Sequence, residues 1–186
     1  DIVPDGVYLK RYGNVLQSSL NDLLNSYTAS YTRDSIRAGH LPPECQQCAL
    51  KEASVGHSRR LFFKDILNPM LENTNYDYSK NFTDIYFLEF NMSNICNLKC
   101  RMCDGINSSA WVKDDIKLSQ NGNPYGRRIN DPEFGYTNKS DQIVARLFED
   151  PTPFMNLRYL SIKGGEPYME PANKLILKKF IDLGIA

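Results

Sequence analysis

Two apolar-rich runs in this chain are strand-like, Asp84-Ile85-Tyr86-Phe87-Leu88-Glu89-Phe90 and Leu157-Arg158-Tyr159-Leu160-Ser161-Ile162-Lys163. Helical spacing surrounds them. Ser19 is placed to cap a short helix with Leu20, Leu23 and Leu24 on one face. A second run, about Ser30 to Ala38, has Arg37 in its last turn and Gly39 as its stop. Arg60 to Phe82 reads as a connector whose first half is helical (Leu61, Phe62, Ile66, Leu67, Met70, Leu71), while Asn73 to Asn81 has loop chemistry. Beyond the first strand, Ser108 to Lys113 opens a helix with Val112 and Ile116 four apart. A long polar loop, Ser119 to Ser140, follows, of a kind that tends to be functional or mobile. Asp141 is expected to cap a helix with Ile143, Val144, Leu147 and Phe148 inward, ended by Asp150-Pro151-Thr152-Pro153. The last helix, Pro171 to Leu183, starts on proline. It sets Ile176, Leu177, Phe180 and Ile181 against Lys174, Lys178 and Lys179.

Strand, loop, helix, strand, helix is the parallel βα alternation, with function expected at the carboxyl ends of the strands. The expected fold class is therefore α/β, preceded by a small, mainly helical cysteine-containing module. The predicted divisions are 1–60, that module; 61–82, the connector; and 83–186, the βα part. The chain reads as a fragment, since it does not begin with Met and stops at Ile185-Ala186 where a third strand is expected.

At 186 residues and 41% hydrophobic content the chain can bury one core of ordinary size. Lys plus Arg and Asp plus Glu are both 22, so no net field draws it to nucleic acid or an anionic membrane. Tyr76, Tyr78 and Phe82 have only Lys80 among them, too little basic charge for base stacking. No apolar run of about 18 residues marks a membrane helix, and the first residues are no signal peptide. Five cysteines, three of them in one tight group, read as ligands in a reducing cytoplasm better than as a disulfide frame.

That group, Cys96, Cys100 and Cys103, has the spacing C-x3-C-x2-C and directly follows the first strand. Three thiolates so close can reach one small cluster. A cubane iron–sulfur cluster takes four ligands, so three leave one iron open to a non-protein ligand, as an open zinc site does in catalysis. Zinc with a fourth ligand from elsewhere is the alternative, although paired C-x2-C units are the usual zinc pattern. After the second strand comes Gly164-Gly165-Glu166-Pro167. Two glycines let backbone pass close to a ligand and adopt positive φ, the glutamate can accept from an ammonium group, and proline fixes the exit of the turn.

In these two motifs, each after a strand and in this order, the chain resembles the radical SAM enzymes. The resemblance implies a partial (β/α)6 barrel of which the first two βα units are present. It implies that Cys96, Cys100 and Cys103 hold a 4Fe-4S cluster whose open iron chelates S-adenosylmethionine. Gly164, Gly165, Glu166 and Pro167 would cradle the methionine amino end, and Met102 stands where the family has an aromatic residue beside adenine. Ser108-Ser109 followed by Trp111 resembles the twitch-type members. Upstream, Gly13-Asn14-Val15, Leu20, Leu23, Asn25-Ser26, Arg37, Gly39 and the pair Cys45 and Cys48 resemble part of a SPASM or twitch module, which implies an auxiliary iron–sulfur cluster. Read from the residues alone, Cys45 and Cys48 are two free thiols, half of a zinc site that His40 and His57 would complete, or two cluster ligands.

The activity implied is reductive cleavage of S-adenosylmethionine to a 5'-deoxyadenosyl radical that abstracts hydrogen from substrate. A peptide or protein is the substrate class suggested, with an external electron donor as partner. Arg127-Arg128 would meet an anionic substrate or lie solvated. The competing class is a non-catalytic zinc or iron–sulfur module for structure or electron transfer.

Overall fold

The computed structural model describes residues 12–72, 84–122 and 139–185, with the side chains of Glu44 and Leu71 excepted. The tyrosines at 76 and 78, Phe82 and Arg127-Arg128 lie outside these residues. Two compact units are present: one comprises residues up to Tyr86 together with Asp150–Arg158, the other Phe87–Glu149 with Tyr159 onward. Among the described residues no helix is long and apolar enough to cross a membrane.

The first unit is helical. Helix α1, Leu20–Leu24, begins with a capping box in which Ser19 and Asp22 each accept from the other's backbone N–H. Helix α2, Tyr27–Arg37, starts earlier than the sequence pattern implies, because the Ser26 hydroxyl accepts from Ala29 N–H at 3.3 Å and caps it. Gly39 stops it as expected. Its φ of 81° lets Gly39 N–H reach the Ile36 carbonyl and His40 N–H reach that of Ser35, the two bonds of a Schellman ending. Helix α3, Gln46–Val55, was not foreseen, since its residues lack a clean apolar stripe; Gly56 ends it at φ 69°. Helix α4, Arg59–Leu71, is capped by Ser58. Asp150–Arg158 joins this unit through Ile85 N–H to the Pro153 carbonyl (2.7 Å) and Arg158 N–H to that of Tyr86 (2.9 Å).

The second unit is built on a parallel pair, β1 (Phe87–Asn91) and β2 (Tyr159–Lys163), in the register Phe87↔Tyr159 through Asn91↔Lys163. Both strands are shorter at their start than the apolar runs that predicted them. Their faces differ chemically. Phe90 is buried opposite Ile162, whereas Phe87 stacks on Tyr159 at 4.9 Å and Glu89 pairs diagonally with Lys163 at 2.6 Å. Helices α5 (Val112–Gln120) and α6 (Ser140–Leu147) lie between the strands in sequence, and α7 (Pro171–Asp182) follows β2.

Helix α6 begins one residue before Asp141, which therefore lies inside the first turn rather than capping it. Its Val144 and Leu147 are buried as expected. Helix α7 turns a different face inward than the apolar pattern suggests. Ala172, Asn173, Ile176 and Phe180 are buried, whereas Leu177 and Ile181 are exposed. The ring of Phe148, just past α6, meets that of Phe180 edge-on at 5.1 Å. The inward face thus keeps Ile176 and Phe180 of the predicted stripe but is rotated toward Ala172 and Asn173, away from Leu177 and Ile181.

Candidate functional site

Parallel pairing decides where the motifs lie. Asn91 and Lys163 are partners at the carboxyl ends of β1 and β2, so the cysteine loop and the Gly-Gly turn leave the sheet side by side. They are joined by backbone: Gly165 N–H donates to the Ser93 carbonyl at 3.0 Å, and Glu166 N–H to that of Ile95 at 2.7 Å. The glycines are required by this approach. A Cβ on Gly164, at φ 137°, would lie 2.5 Å from the Ser93 oxygen, and one on Gly165 would strike the carbonyls of Asn94 and Ile95. The close neighbour of both glycines is the cysteine loop itself.

The turn is fixed from its other side as well. A Glu166 carboxylate oxygen accepts from Tyr168 N–H at 3.2 Å and so caps the tight turn Pro167–Met169. The buried Glu170 carboxylate accepts from Ala172 N–H at 3.1 Å and caps α7. Asn173, also buried, donates through Nδ2 to the Pro167 carbonyl at 2.9 Å.

The cysteine loop has no regular structure, and its shape is imposed by the segment 104–115. Asp104 Oδ1 accepts from the N–H groups of Ile106 and Asn107, an Asx turn that reverses the chain. The buried Ser108 hydroxyl donates to the Leu98 carbonyl at 2.7 Å. Ser109 binds Cys96 twice, accepting from its N–H at 3.1 Å and donating to its carbonyl at 3.0 Å. Trp111 Nε1 donates to the Cys100 carbonyl at 3.1 Å, Asn94 Nδ2 to that of Gly105 at 2.7 Å, and the buried Asp115 carboxylate accepts from Gly105 N–H. Lys99 is held between the Asp114 carboxylate and the Trp111 ring, 5.5 Å from its centroid.

Cys96 and Cys103 are half-buried and Cys100 is exposed. Leu98 N–H donates to the Cys96 sulfur at 3.4 Å. Burial pushes the Cys103 thiol up, and the nearby Cys100 and Cys96 thiols, then Asp104, push it the same way. A nearby cation would act on Cys103 in the opposite direction. Among the described residues no three His, Cys, Asp or Glu side chains form a group that could hold a metal ion. Met102 is 93% exposed, with Leu98 and Tyr168 also open to solvent.

No family model, curated protein or solved structure matches this chain. What the site can do must therefore be argued from its own residues.

In the first unit Cys45 closes a tight turn, Pro43–Cys45, and Cys48 lies in the first turn of α3, so one helical turn brings the pair to the same end. Nearby, the pKa of the Arg60 guanidinium is raised, chiefly by its hydrogen bond to Glu52 and least by the charges of Cys48 and Cys45. Arg60 grips Glu52 through two nitrogens, Nε at 3.0 Å among them, and the Ser58 hydroxyl donates to the same carboxylate at 2.5 Å. Hydrogen bonds from Arg60 and then Ser58 hold the Glu52 carboxyl below its ordinary range. His40 and His57 are exposed and form no group of three with the cysteines.

The side chains that sequence reasoning passed over are Asn94, Asp115, Glu170 and Asn173. Asp115 left a signal, an acid inside the stripe of Val112, Ile116 and Ser119. The Asp104-Gly105 dipeptide marks the turn that Asp115 secures.

Proposed function

We propose that this chain is the cluster-binding part of a radical SAM enzyme, with Cys96, Cys100 and Cys103 as the three ligands of a 4Fe-4S cluster. The observation that carries the reading is the seating of the Gly164-Gly165 turn on the backbone of Ser93, Asn94 and Ile95, at adjacent strand ends. It unites two motifs that are individually weak. Under this reading the parallel pair is the start of a (β/α)6 barrel.

The donor set fits such a group. Three thiols on one loop supply three soft ligands, and the Leu98 N–H donates to the first of them, the Cys96 sulfur. When bound and reduced by an external electron donor, the cluster would supply one electron to the sulfonium of S-adenosylmethionine, breaking its carbon–sulfur bond to give methionine and a 5'-deoxyadenosyl radical able to take hydrogen from a substrate, for which a peptide or protein is the class we favour. The chain's own part is placement. The capped Glu166 carboxylate offers an acceptor for the methionine ammonium, Gly164, Gly165 and Pro167 hold that acceptor against the cysteine loop, and the exposed Met102 thioether can pack on the adenine face.

Cys45 and Cys48, one helical turn apart at the start of α3, are proposed as ligands of a separate auxiliary iron–sulfur cluster. Anaerobic reconstitution followed by iron, sulfide and zinc counts, then dithionite with S-adenosylmethionine, tests the reading. Four irons bound by the loop and formation of 5'-deoxyadenosine are expected. One zinc per chain with no iron, or no 5'-deoxyadenosine, would leave a structural or electron-transfer module instead. Glu166→Ala is expected to retain iron and to bind S-adenosylmethionine at least tenfold more weakly; unchanged affinity would remove its role.

A further inference from the structure

Among the hydrogen bonds that shape the cysteine loop, those of Ser109 are distinctive, because one hydroxyl satisfies both backbone groups of a single ligand residue. Cys96 is the first ligand after β1, and three residues separate it from the second. A residue at that point has nothing regular to fix its φ and ψ. With both its N–H and its carbonyl bound to one oxygen, the backbone of Cys96 is held, and with it the direction in which its Cα–Cβ bond points. Ser109 is itself anchored, its N–H donating to the Asn94 carbonyl at 2.7 Å. Trp111 repeats the device at the second ligand, through the Cys100 carbonyl.

We infer that Ser109 is a positioning residue for the first cluster ligand and Trp111 for the second. Together they set the direction in which two of the three thiolates meet the metal centre. The inference rests on the cluster reading for its consequence, but its structural half does not. Outer-shell hydrogen bonds of this kind orient ligands and tune a centre without touching it. Ser109→Ala should therefore change the character of a bound cluster more than the amount of it. Ser109→Thr, which keeps the hydroxyl, should restore the wild-type behaviour. Trp111 is the only tryptophan in the chain, so its fluorescence reports on the same loop.

The test has two arms. In the metal-free chain, amide hydrogen exchange at Cys96 should rise about tenfold in Ser109→Ala, the loss of one hydrogen bond, and return to wild type in Ser109→Thr. In the reconstituted chain, iron per protein should change little, while the electron paramagnetic resonance g values of the reduced cluster move in Ser109→Ala and recover in Ser109→Thr. Trp111→Phe should likewise move the g values. Exchange and spectra unchanged in Ser109→Ala, or a threonine variant that behaves like alanine, would overturn the inference. If the wild-type chain takes up no iron, the cluster reading falls, and the exchange arm alone decides whether Ser109 fixes Cys96.

Discussion

Cys45 and Cys48 are brought together by one turn of helix α3, whereas Cys96, Cys100 and Cys103 lie on an irregular loop whose backbone is tied to residues 10 to 13 positions away. In the first case local backbone geometry suffices, and the surrounding Arg60, Glu52 and Ser58 need only secure the next helix. In the second the local bonds are few, Cys103 N–H to the Cys100 carbonyl and Leu98 N–H to the Cys96 sulfur among them, and most of the shape comes from an Asx turn, two serines, an indole and a backbone-to-backbone contact with the Gly-Gly turn. A helix-borne pair should therefore tolerate changes nearby, and a loop-borne trio should not.

The largest expected effect is on the metal itself. Cys100→Ala should abolish the loop's cluster while leaving any metal at Cys45 and Cys48 countable; losing all metal in that variant would contradict two separate sites. Next come the glycines, which set the two regions directly against each other. Gly165→Ala drives a Cβ into the Asn94 and Ile95 carbonyls. It should cost about 3 kcal/mol in urea unfolding, the upper end of ordinary overpacking, because backbone cannot step aside. It should also lower iron uptake. Gly56→Ala also has positive φ but open space around it. It should cost about 1 kcal/mol and leave iron uptake at the loop unchanged. Equal losses in both would show that the Gly-Gly contact is not what holds the loop.

The smallest expected effect is a pH dependence in the first unit. Hydrogen bonding to Arg60 and Ser58 depresses the folded Glu52 pKa below its ordinary value. Its contribution is therefore present above the unfolded pKa, about 4.3 for glutamate, and is lost as pH falls through the lower folded value. Glu52→Gln should flatten the urea midpoint between about pH 5 and 3. The wild-type slope persisting in the variant would assign it to other carboxylates. The Cys103 thiol should act in the opposite direction in the metal-free chain. Its pKa is raised on folding, so stability holds below the unfolded thiol value, about 8.5, and declines as pH rises beyond it.

How much of this was legible in the sequence follows from the same contrast. The strands, their parallel pairing, the stop at Gly39 and the buried face of α6 rest on local patterns and on the logic of a βα unit, and all are present. Helix α3 was not, because its apolar residues form no stripe, and the inward face of α7 was misjudged because Ala172 and Asn173 are buried where Leu177 is exposed. The cysteines and the Gly-Gly-Glu-Pro turn could be named from spacing alone. Their contact could not, since it is made by backbone carbonyls that carry no sequence signature, and Asn94, Asp115 and Asn173 act through single hydrogen bonds to distant backbone.

The most direct test of an open metal corner at Cys96, Cys100 and Cys103 is Mössbauer spectroscopy of the chain reconstituted with iron-57, before and after adding S-adenosylmethionine, in a Cys45→Ala/Cys48→Ala background. The expected result is a cubane in which one iron of four changes its isomer shift and quadrupole splitting on addition, while three do not. A spectrum indifferent to S-adenosylmethionine, or a protein that binds zinc and no cubane, would contradict it.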